Sequence, residues 1–306
     1  MIPLRPFGRT GAHVSALGLG GSHIGKVSKE QDAIAIMRAA IEAGVTFFDN
    51  AWEYEDGKSE KRMGKALAGE WRPMVFLMSK CCTHGRDGKV AMKQLDESLK
   101  RLKTDYLDLW QLHECVYFND PERHFMKGGA AEALLKAREQ GKVRFLGFTG
   151  HKDPAIHMKM LSYDYPFDSC QLPLNCFDAS FRSFERLVLP ELNRRGIAPI
   201  GMKSLGGEAP AVKKKVVAAA DALRYAMSLT VATTVSGIDS MKVLKQNVGV
   251  ADGFKPMKPL EMARLRTRMS EHATDGRYEL YKTTAKFDAD VGRKQHGFPS
   301  LAEMAG

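Results

Sequence analysis

The feature that most constrains this chain is a repeated alternation, sustained from Leu17 to about Val250, of short apolar β-type runs with longer stretches of helical period. Eight such runs stand at 17–20, 45–49, 75–80, 106–113, 143–149, 167–172, 197–203 and 230–236. Between them, apolar residues recur at helical spacing, as at Ala33, Met37, Ala40 and Ile41, at Leu95, Leu99 and Leu102, at Ala130, Ala133, Leu134 and Ala137, and at Val216, Ala220, Leu223 and Met227. Several of these stretches end at a glycine (Gly44, Gly141, Gly196), the residue that terminates helices without a Cβ penalty. Strand-then-helix repetition predicts a parallel sheet, since parallel neighbours need a crossover connection. Runs that are apolar throughout imply strands covered on both faces. An open doubly wound sheet would place a glycine-rich turn and a helix after its first strand, yet Gly18, Gly20 and Gly21 lead into Ser22, His23, Ile24 and Gly25 with no obvious helix. The closed alternative, a (β/α)8 TIM barrel of the α/β class, accounts for the pattern better.

The 306 residues are therefore read as a single barrel domain over 1–306. Residues 1–16, with Gly8 and a TGAHV turn, form a hairpin that caps the barrel's bottom, 17–250 form the barrel, and 251–306 form a C-terminal helix and a covering tail. That tail contains Leu260, Met262, Leu265 and Met269 at helical spacing, then the aromatics Tyr278, Tyr281, Phe287 and Phe298, which suit burial over the barrel mouth.

Composition removes several function classes. At 44% hydrophobic and 27% charged the chain is ordinary globular protein, not a disordered scaffold. No apolar run reaches the ~18 residues a membrane span needs, and the first residues lack a secretory pattern, so a soluble, unexported, cytoplasmic protein without a membrane partner is expected. The net charge of +10 is spread along the chain without a basic stripe, which argues against nucleic acid and leaves steering of an anionic cofactor. Five cysteines, Cys81, Cys82, Cys115, Cys170 and Cys176, contain no CxxC pair, so neither a disulfide framework nor a metal site is expected.

In a barrel of this kind chemistry sits at the C-terminal ends of the strands, so the polar residue closing each apolar run is the informative one. The second run closes at Asp49, the third at Lys80, the fourth at His113, the sixth carries Gln171 with Asn175 just beyond, and the seventh closes at Lys203. Tyr54 follows Asp49 in the loop WEYEDGKSE. Each has an ordinary reading by itself: Asp49 as a helix cap, Lys80 as a solvated strand end, His113 as a core histidine and Tyr54 as a packing residue. Together they bring an acid, a base, an imidazole and a phenol to one mouth.

These residues sit in segments that resemble the aldo-keto reductases: GRTGAHVSALGLGG (8–21), FFDNAWEYEDGKSE (47–60), the strand-ending Lys80, DYLDLWQLH (105–113), GKVRFLGFTGH (141–151), CQLPLN (170–175) and GMKSLGG (201–207). The resemblance covers about 250 residues and implies a catalytic tetrad of Asp49, Tyr54, Lys80 and His113. A phenol with a reference pKa near ~10 is a weak acid, so the expectation is that Lys80 stabilises its phenolate, Asp49 orients Lys80, and His113 binds the substrate carbonyl oxygen while Tyr54 protonates it. The reaction implied is reduction of an aldehyde or ketone by a nicotinamide cofactor, with no metal.

The same resemblance implies a cofactor site of Gly21, Thr149, Gln171, Asn175, Lys203, Ser204, Leu205, Gly206, Gly237, Asp239, Ser240, Lys242, Gln246 and Asn247. It implies substrate contacts at His23, Trp52, Glu114 and His151. Two departures from the family pattern matter. Thr149, Gly150 and His151 stand where many relatives have Ser-Asn, and the stretch after Lys203 lacks the aromatic residue that stacks on nicotinamide. The basic residue that usually clamps a 2′-phosphate is replaced around Gly237, Ile238 and Asp239, leaving Ser240, Lys242 and Lys245 as candidates. NADPH is the expected cofactor and NADH the alternative. With no cysteine after Cys176 an iron–sulfur cluster is not expected. An idle cofactor-binding sensor, like the ion-channel subunits that resemble the family, is the rival reading, and the complete tetrad argues for the enzyme.

Overall fold

The computed structural model describes residues 1–82 and 87–305. Eight parallel strands close a barrel: β3 (Leu17–Gly20), β4 (Phe47–Asp49), β5 (Phe76–Cys81), β6 (Leu107–Leu112), β7 (Val143–Thr149), β8 (Ser169–Pro173), β9 (Ala198–Met202) and β10 (Thr233–Gly237), with β10 pairing back to β3. The strands expected at 17–20 and 143–149 have those bounds, and the others shift by a few residues at their ends. Strand β4 is the shortest in the barrel, three residues where five were expected, because Val45 and Thr46 belong to the connection whose backbone bonds back to Ala40 and Phe76.

Residues 1–16 form the expected antiparallel hairpin, β1 (Leu4–Pro6) paired with β2 (His13–Ser15). Its turn points Phe7 into the barrel floor, where the ring lies 4.7 Å from Phe76 and 6.1 Å from Phe145. Gly8 (φ +55°) presses so close to Gly196 and Ala198 that no side chain fits there, and Arg9 N–H donates to the Gly196 carbonyl at 2.9 Å. This junction sits at the N-terminal end of β9, so the hairpin closes the bottom.

The expected helical stripes fall on the helices Glu30–Glu42, Gly88–Leu102, Ala130–Glu139 and Ala219–Ser228, with Val216 just ahead of the last. Their apolar faces meet the outward strand residues, among them Phe48, Leu77, Trp110, Leu146 and Phe148, all fully buried. One element departs from expectation. A short helix, Gly21–Lys26, does follow β3; its second turn carries Ile24 and Gly25 inward, and Arg62 holds both of their carbonyls at 2.7 and 2.9 Å. No periodic stripe can register in six residues, which is why it was not legible.

Beyond Val250 the helix Pro259–Ala273 packs Leu265 and Met269 on the barrel wall. The tail continues as short helices at Leu280–Thr283, Asp290–Gln295 and Leu301–Ala305. Among the described residues no helix is long and apolar enough to cross a membrane.

Candidate active site

Side chains on a strand alternate between faces, so each strand carries one file of residues into the barrel. On β5 that file is Phe76, Met78 and Lys80; on β4 it is Phe47 and Asp49; on β6 it is Leu109 and Gln111, continued by His113. The files begin with the aromatic floor and end in the polar groups singled out from the sequence.

Those groups converge. The ammonium of Lys80, 1% exposed, is ion-paired with Asp49, donates to the Asn50 carbonyl oxygen at 2.8 Å and donates to the Tyr54 hydroxyl at 3.3 Å. The Tyr54 ring stands edge-on to His113 with centroids 5.6 Å apart. Gln171, in register with Thr149 on the neighbouring strand, donates to Asp49 at 3.5 Å. Its Oε1 is buried and has no hydrogen-bond partner among the described residues.

The electrostatics differ from the simplest expectation. Desolvation around the hydroxyl, then the charges of Asp49, Glu53 and Glu114, raise the Tyr54 phenol well above its ordinary value. Tyr54 is therefore fully protonated at neutral pH. Burial also lowers His113, to about 3, and makes it a neutral imidazole. Glu114 rises to about 7 through burial and the neighbouring Glu53 charge, and burial lowers Lys203.

Among the described residues, four of the eight non-glycine residues with positive φ lie near these groups. Glu55, Asp56, Glu114 and Lys203 all hold φ between 50° and 54°, the left-handed region that side chains other than glycine rarely occupy. Such strain survives where the surroundings over-determine it, and these residues lie beside Tyr54, after His113 and at the end of β9.

The tail supplies much of the mouth. Asn175 donates its amide to the Tyr281 hydroxyl at 2.9 Å and to Glu279 at 3.1 Å, while its Oδ1 accepts the N–H groups of Phe177 and Asp178. Lys282 is fully buried between Asp178 (2.7 Å) and Glu279 (2.9 Å). His151 faces Asp288, which Lys152 also holds at 2.7 Å, and Ala289 N–H donates to Glu114 at 3.0 Å. Tyr281 lies beneath the Lys203 ammonium, 5.5 Å from its centroid, so an aromatic ring reaches the region after β9 from the tail rather than from the loop. Tyr278 packs on Phe177, and Phe298 lies over Tyr117, farther round the rim.

The remaining expected residues divide. His23 lies against Gly237 in a cleft of about 650 Å³ at the β10 end, together with Lys26, Asp239, Ser240 and Met241. Ser240 caps the helix Met241–Ala251 by accepting from Val243 N–H at 3.3 Å. Lys242 and Gln246 are exposed on that helix, and Asn247 is buried, donating to Ser236 at 3.0 Å. Gly21 packs against the Asp49 carbonyl, where a side chain would not fit. Trp52 turns its indole N–H outward to Glu97 at 2.7 Å. Ser204 and Leu205 follow Lys203 in a turn closed by Gly206 N–H on the Lys203 carbonyl at 2.8 Å. Sequence reasoning missed Glu53, Cys82 and the buried Asp178, Glu279, Lys282 and Asp288. Only the last three had a signal, charged residues interleaved with the tail's aromatics.

A model of the aldo/keto reductase family matches residues 16–217, about two thirds of the chain. The chain is 35% identical over 158 residues to L-galactose dehydrogenase of Arabidopsis thaliana, covering 49% of each. It is 39% identical over 133 residues to methylglyoxal reductase YeaE of Escherichia coli K12, covering 43% of this chain and 44% of that one. The matched part thus spans about half the length of these curated relatives. Among solved structures, the aldo-keto reductase of Klebsiella pneumoniae in complex with NADPH superposes with a TM-score of 0.71 at 22% identity, covering 88% of this chain and 96% of that one. With the barrel, its hairpin floor and the family match in hand, this chain belongs to the aldo/keto reductase family.

Proposed function

We propose that the chain reduces the carbonyl of a small aldehyde or ketone to an alcohol, using a reduced nicotinamide dinucleotide and Tyr54 as proton donor. The observation that carries this reading is the meeting of Lys80 with Asp49 and with the Tyr54 hydroxyl beside the His113 ring. A bound nicotinamide supplies the hydride.

The residues present fit such a group. Gln171 Oε1 is an unmatched buried acceptor for the N–H of a carboxamide, with Thr149 beside it. Asn175, by contrast, has its amide engaged by the tail and acts here as an anchor for Tyr281 and Glu279. At the β10 end the cleft around Ser240 offers the start of an 11-residue helix, whose backbone N–H groups suit phosphate, and the cation Lys26. We take NADPH as the preferred dinucleotide on the strength of Lys26 and Lys242, with Asp239 as the group that would favour NADH.

The chain's own residues divide the proton work. The raised Tyr54 phenol holds its proton until negative charge develops on the substrate oxygen, and then releases it. Lys80, kept in place by Asp49 and the Asn50 carbonyl, stabilises the phenolate left behind. His113, neutral, offers a ring nitrogen to the same oxygen without competing for the proton. The tail around Tyr281 and Lys282 excludes water from the mouth. Glu53, Glu114 and Lys203 make that mouth polar, which suits a hydroxylated carbonyl compound over a hydrocarbon one.

A turnover screen of sugar, ketoaldehyde and alkyl carbonyl compounds, with NADPH and NADH side by side, tests the reading. Turnover by the native chain and its loss in Tyr54→Phe is the expected result; equal turnover by both would overturn the role of Tyr54.

A further inference from the structure

Three metal-ligating side chains of different chemistry, one of them His113 itself, meet at one point. The ligand atoms of Glu53, Cys82 and His113 all lie within 4.8 Å of one another. The Cys82 thiol is 2.6 Å from Glu53 Oε2, and His113 Nδ1 is 2.7 Å from Glu53 Oε1. Cys82 is fully buried and His113 is 5% exposed, so water has little access to the point where they meet.

The backbone holds these three positions independently of any ion. Gln94 clamps Cys82 from both sides, accepting its N–H at 2.7 Å and donating to its carbonyl at 3.2 Å. His113 N–H donates to the Cys81 carbonyl at 3.0 Å, which ties its loop to the end of β5. The Glu53 loop is fixed through Trp52, whose N–H donates to the Lys80 carbonyl at 3.1 Å and whose carbonyl accepts from Arg101 at 2.8 Å. Ligands that need not be gathered cost little ordering entropy on binding, the usual advantage of a preorganised site.

We propose that Glu53, Cys82 and His113 form a binding site for a soft-to-borderline divalent cation of the zinc class. The donor set decides the class. One thiolate, one imidazole and one carboxylate suit zinc, whereas calcium and magnesium take oxygen donors. Among the described residues, these three ligands supply three of the four positions of the usual tetrahedral zinc site. Binding replaces the proton shared between Cys82 and Glu53: the thiol proton leaves to solvent, a sulfur–metal bond forms, and no electron is transferred.

The position gives the site a consequence for the neighbouring chemistry. Glu53 immediately precedes Tyr54, and with Nδ1 of His113 on the ion a neutral ring carries its proton on Nε2, which makes that nitrogen a hydrogen-bond donor. Occupancy therefore fixes which of its two tautomers the imidazole beside Tyr54 adopts. The site stands on side-chain geometry alone and does not depend on the reductase reading.

Cobalt(II), a spectroscopic stand-in for zinc, tests the proposal on the full chain after chelator treatment. One equivalent should bind with a thiolate-to-cobalt charge-transfer band and tetrahedral ligand-field absorption, and one equivalent of zinc should displace it. Cys82→Ser should abolish the charge-transfer band and weaken binding by at least ~10-fold, while Cys81→Ala leaves both intact. Glu53→Gln keeps thiolate and imidazole, so it should retain the band with affinity lowered by at least ~10-fold; it decides the matter if Cys82→Ser fails to fold. A wild-type spectrum without the sulfur band, a band that survives Cys82→Ser or disappears with Cys81→Ala, or an affinity indifferent to Glu53→Gln would each overturn the site. The three side chains would then be a hydrogen-bonded cluster only.

Discussion

The two ends of the barrel are built from the same strands and have opposite characters. At the floor the inward files start with Phe47 and Phe76 and are sealed by Phe7, with Phe145 stacked 6.0 Å from Phe76. At the mouth the same files end in Asp49, Lys80 and His113, under a tail that buries Lys282 between two carboxylates. The floor needs only volume and apolar contact, which many side chains supply. The mouth needs each charge matched, because an unpaired buried charge is far more costly than a cavity of modest size. Stability and chemistry are thus separated along one strand by about two residues' worth of alternation.

The largest expected effects set the two ends directly against each other. Phe7→Ala should cost ~3–5 kcal/mol of stability by opening a cavity in the floor. Lys282→Met should cost a similar ~3–5 kcal/mol, since it leaves Asp178 and Glu279 buried without their cation. Denaturant unfolding measures both. The pair separates in turnover: Phe7→Ala should keep full activity per folded molecule, while Lys282→Met should change kcat/KM by different factors for different carbonyl compounds. A uniform factor across a varied panel would mean that the tail supports the fold without shaping the substrate site.

Tyr54→Phe inverts that pattern. Removing one hydroxyl should cost at least ~100-fold in turnover, the contribution expected of a general acid, with stability within ~0.5 kcal/mol and dinucleotide affinity unchanged. A fluorescence titration with NADPH alongside the turnover assay checks it. Weakened binding equal to the lost turnover would place Tyr54 in substrate or cofactor binding rather than in proton transfer.

Acid should act on His157, which is fully buried against Phe148, Phe184 and the Gly150 backbone just beyond β7. Burial lowers His157 to about 4, below its usual value near 6.5. The unfolded chain therefore takes up this proton first as pH falls below ~6.5, and the native state loses stability by about 1.4 kcal/mol per pH unit until ~4, where both states are protonated. At pH 5 the loss from this residue should be about 2 kcal/mol, and His157→Leu should remove that part of the slope. An unaltered pH dependence in the variant would show that other groups set the acid limit.

The sequence made the barrel legible because its signal is distributed. Eight runs and their helical stripes repeat one lesson, so errors at single boundaries, such as the early start read for β4, do not change the topology. The convergence of Asp49, Tyr54, Lys80 and His113 was legible through their places at or just after strand ends within recognisable segments. Charge pairs formed across long separations were not: nothing local marks Lys282 as the partner of Asp178, or Asp288 as the residue facing His151. Nor did any local pattern mark the tail residues Tyr281 and Glu279 as partners of the Asn175 amide, since the path of the tail is not fixed by local sequence. Glu53 and Cys82 escaped for a related reason, because a ligand set drawn from three loops has no spacing to read.

The smallest effect concerns the cofactor's far end, outside both floor and mouth. Sequence reading left Lys242 and Lys245 as candidate cations near the adenosine, yet the cleft beside Gly237 is lined by Lys26, with both lysines exposed on the adjoining helix. A lysine that only neutralises a phosphate at a solvated site contributes a modest amount, comparable to an exposed ion pair at ~0.2–1 kcal/mol, because water and salt screen it. A 2′-phosphate held by Lys26 would thus lose ~2- to 5-fold in NADPH affinity in Lys26→Ala, with NADH unaffected and the difference shrinking as salt rises. Lys242→Ala should show the same selectivity only if its flexible side chain folds back over Ser240. Parallel titrations of the two variants with both dinucleotides decide between them. Selective loss in Lys26→Ala alone assigns the 2′-phosphate to the short helix after β3, selective loss in Lys242→Ala alone assigns it to the helix after β10, and equal losses for NADPH and NADH in both would leave Asp239, facing a ribose hydroxyl, as the determinant and make NADH the better cofactor.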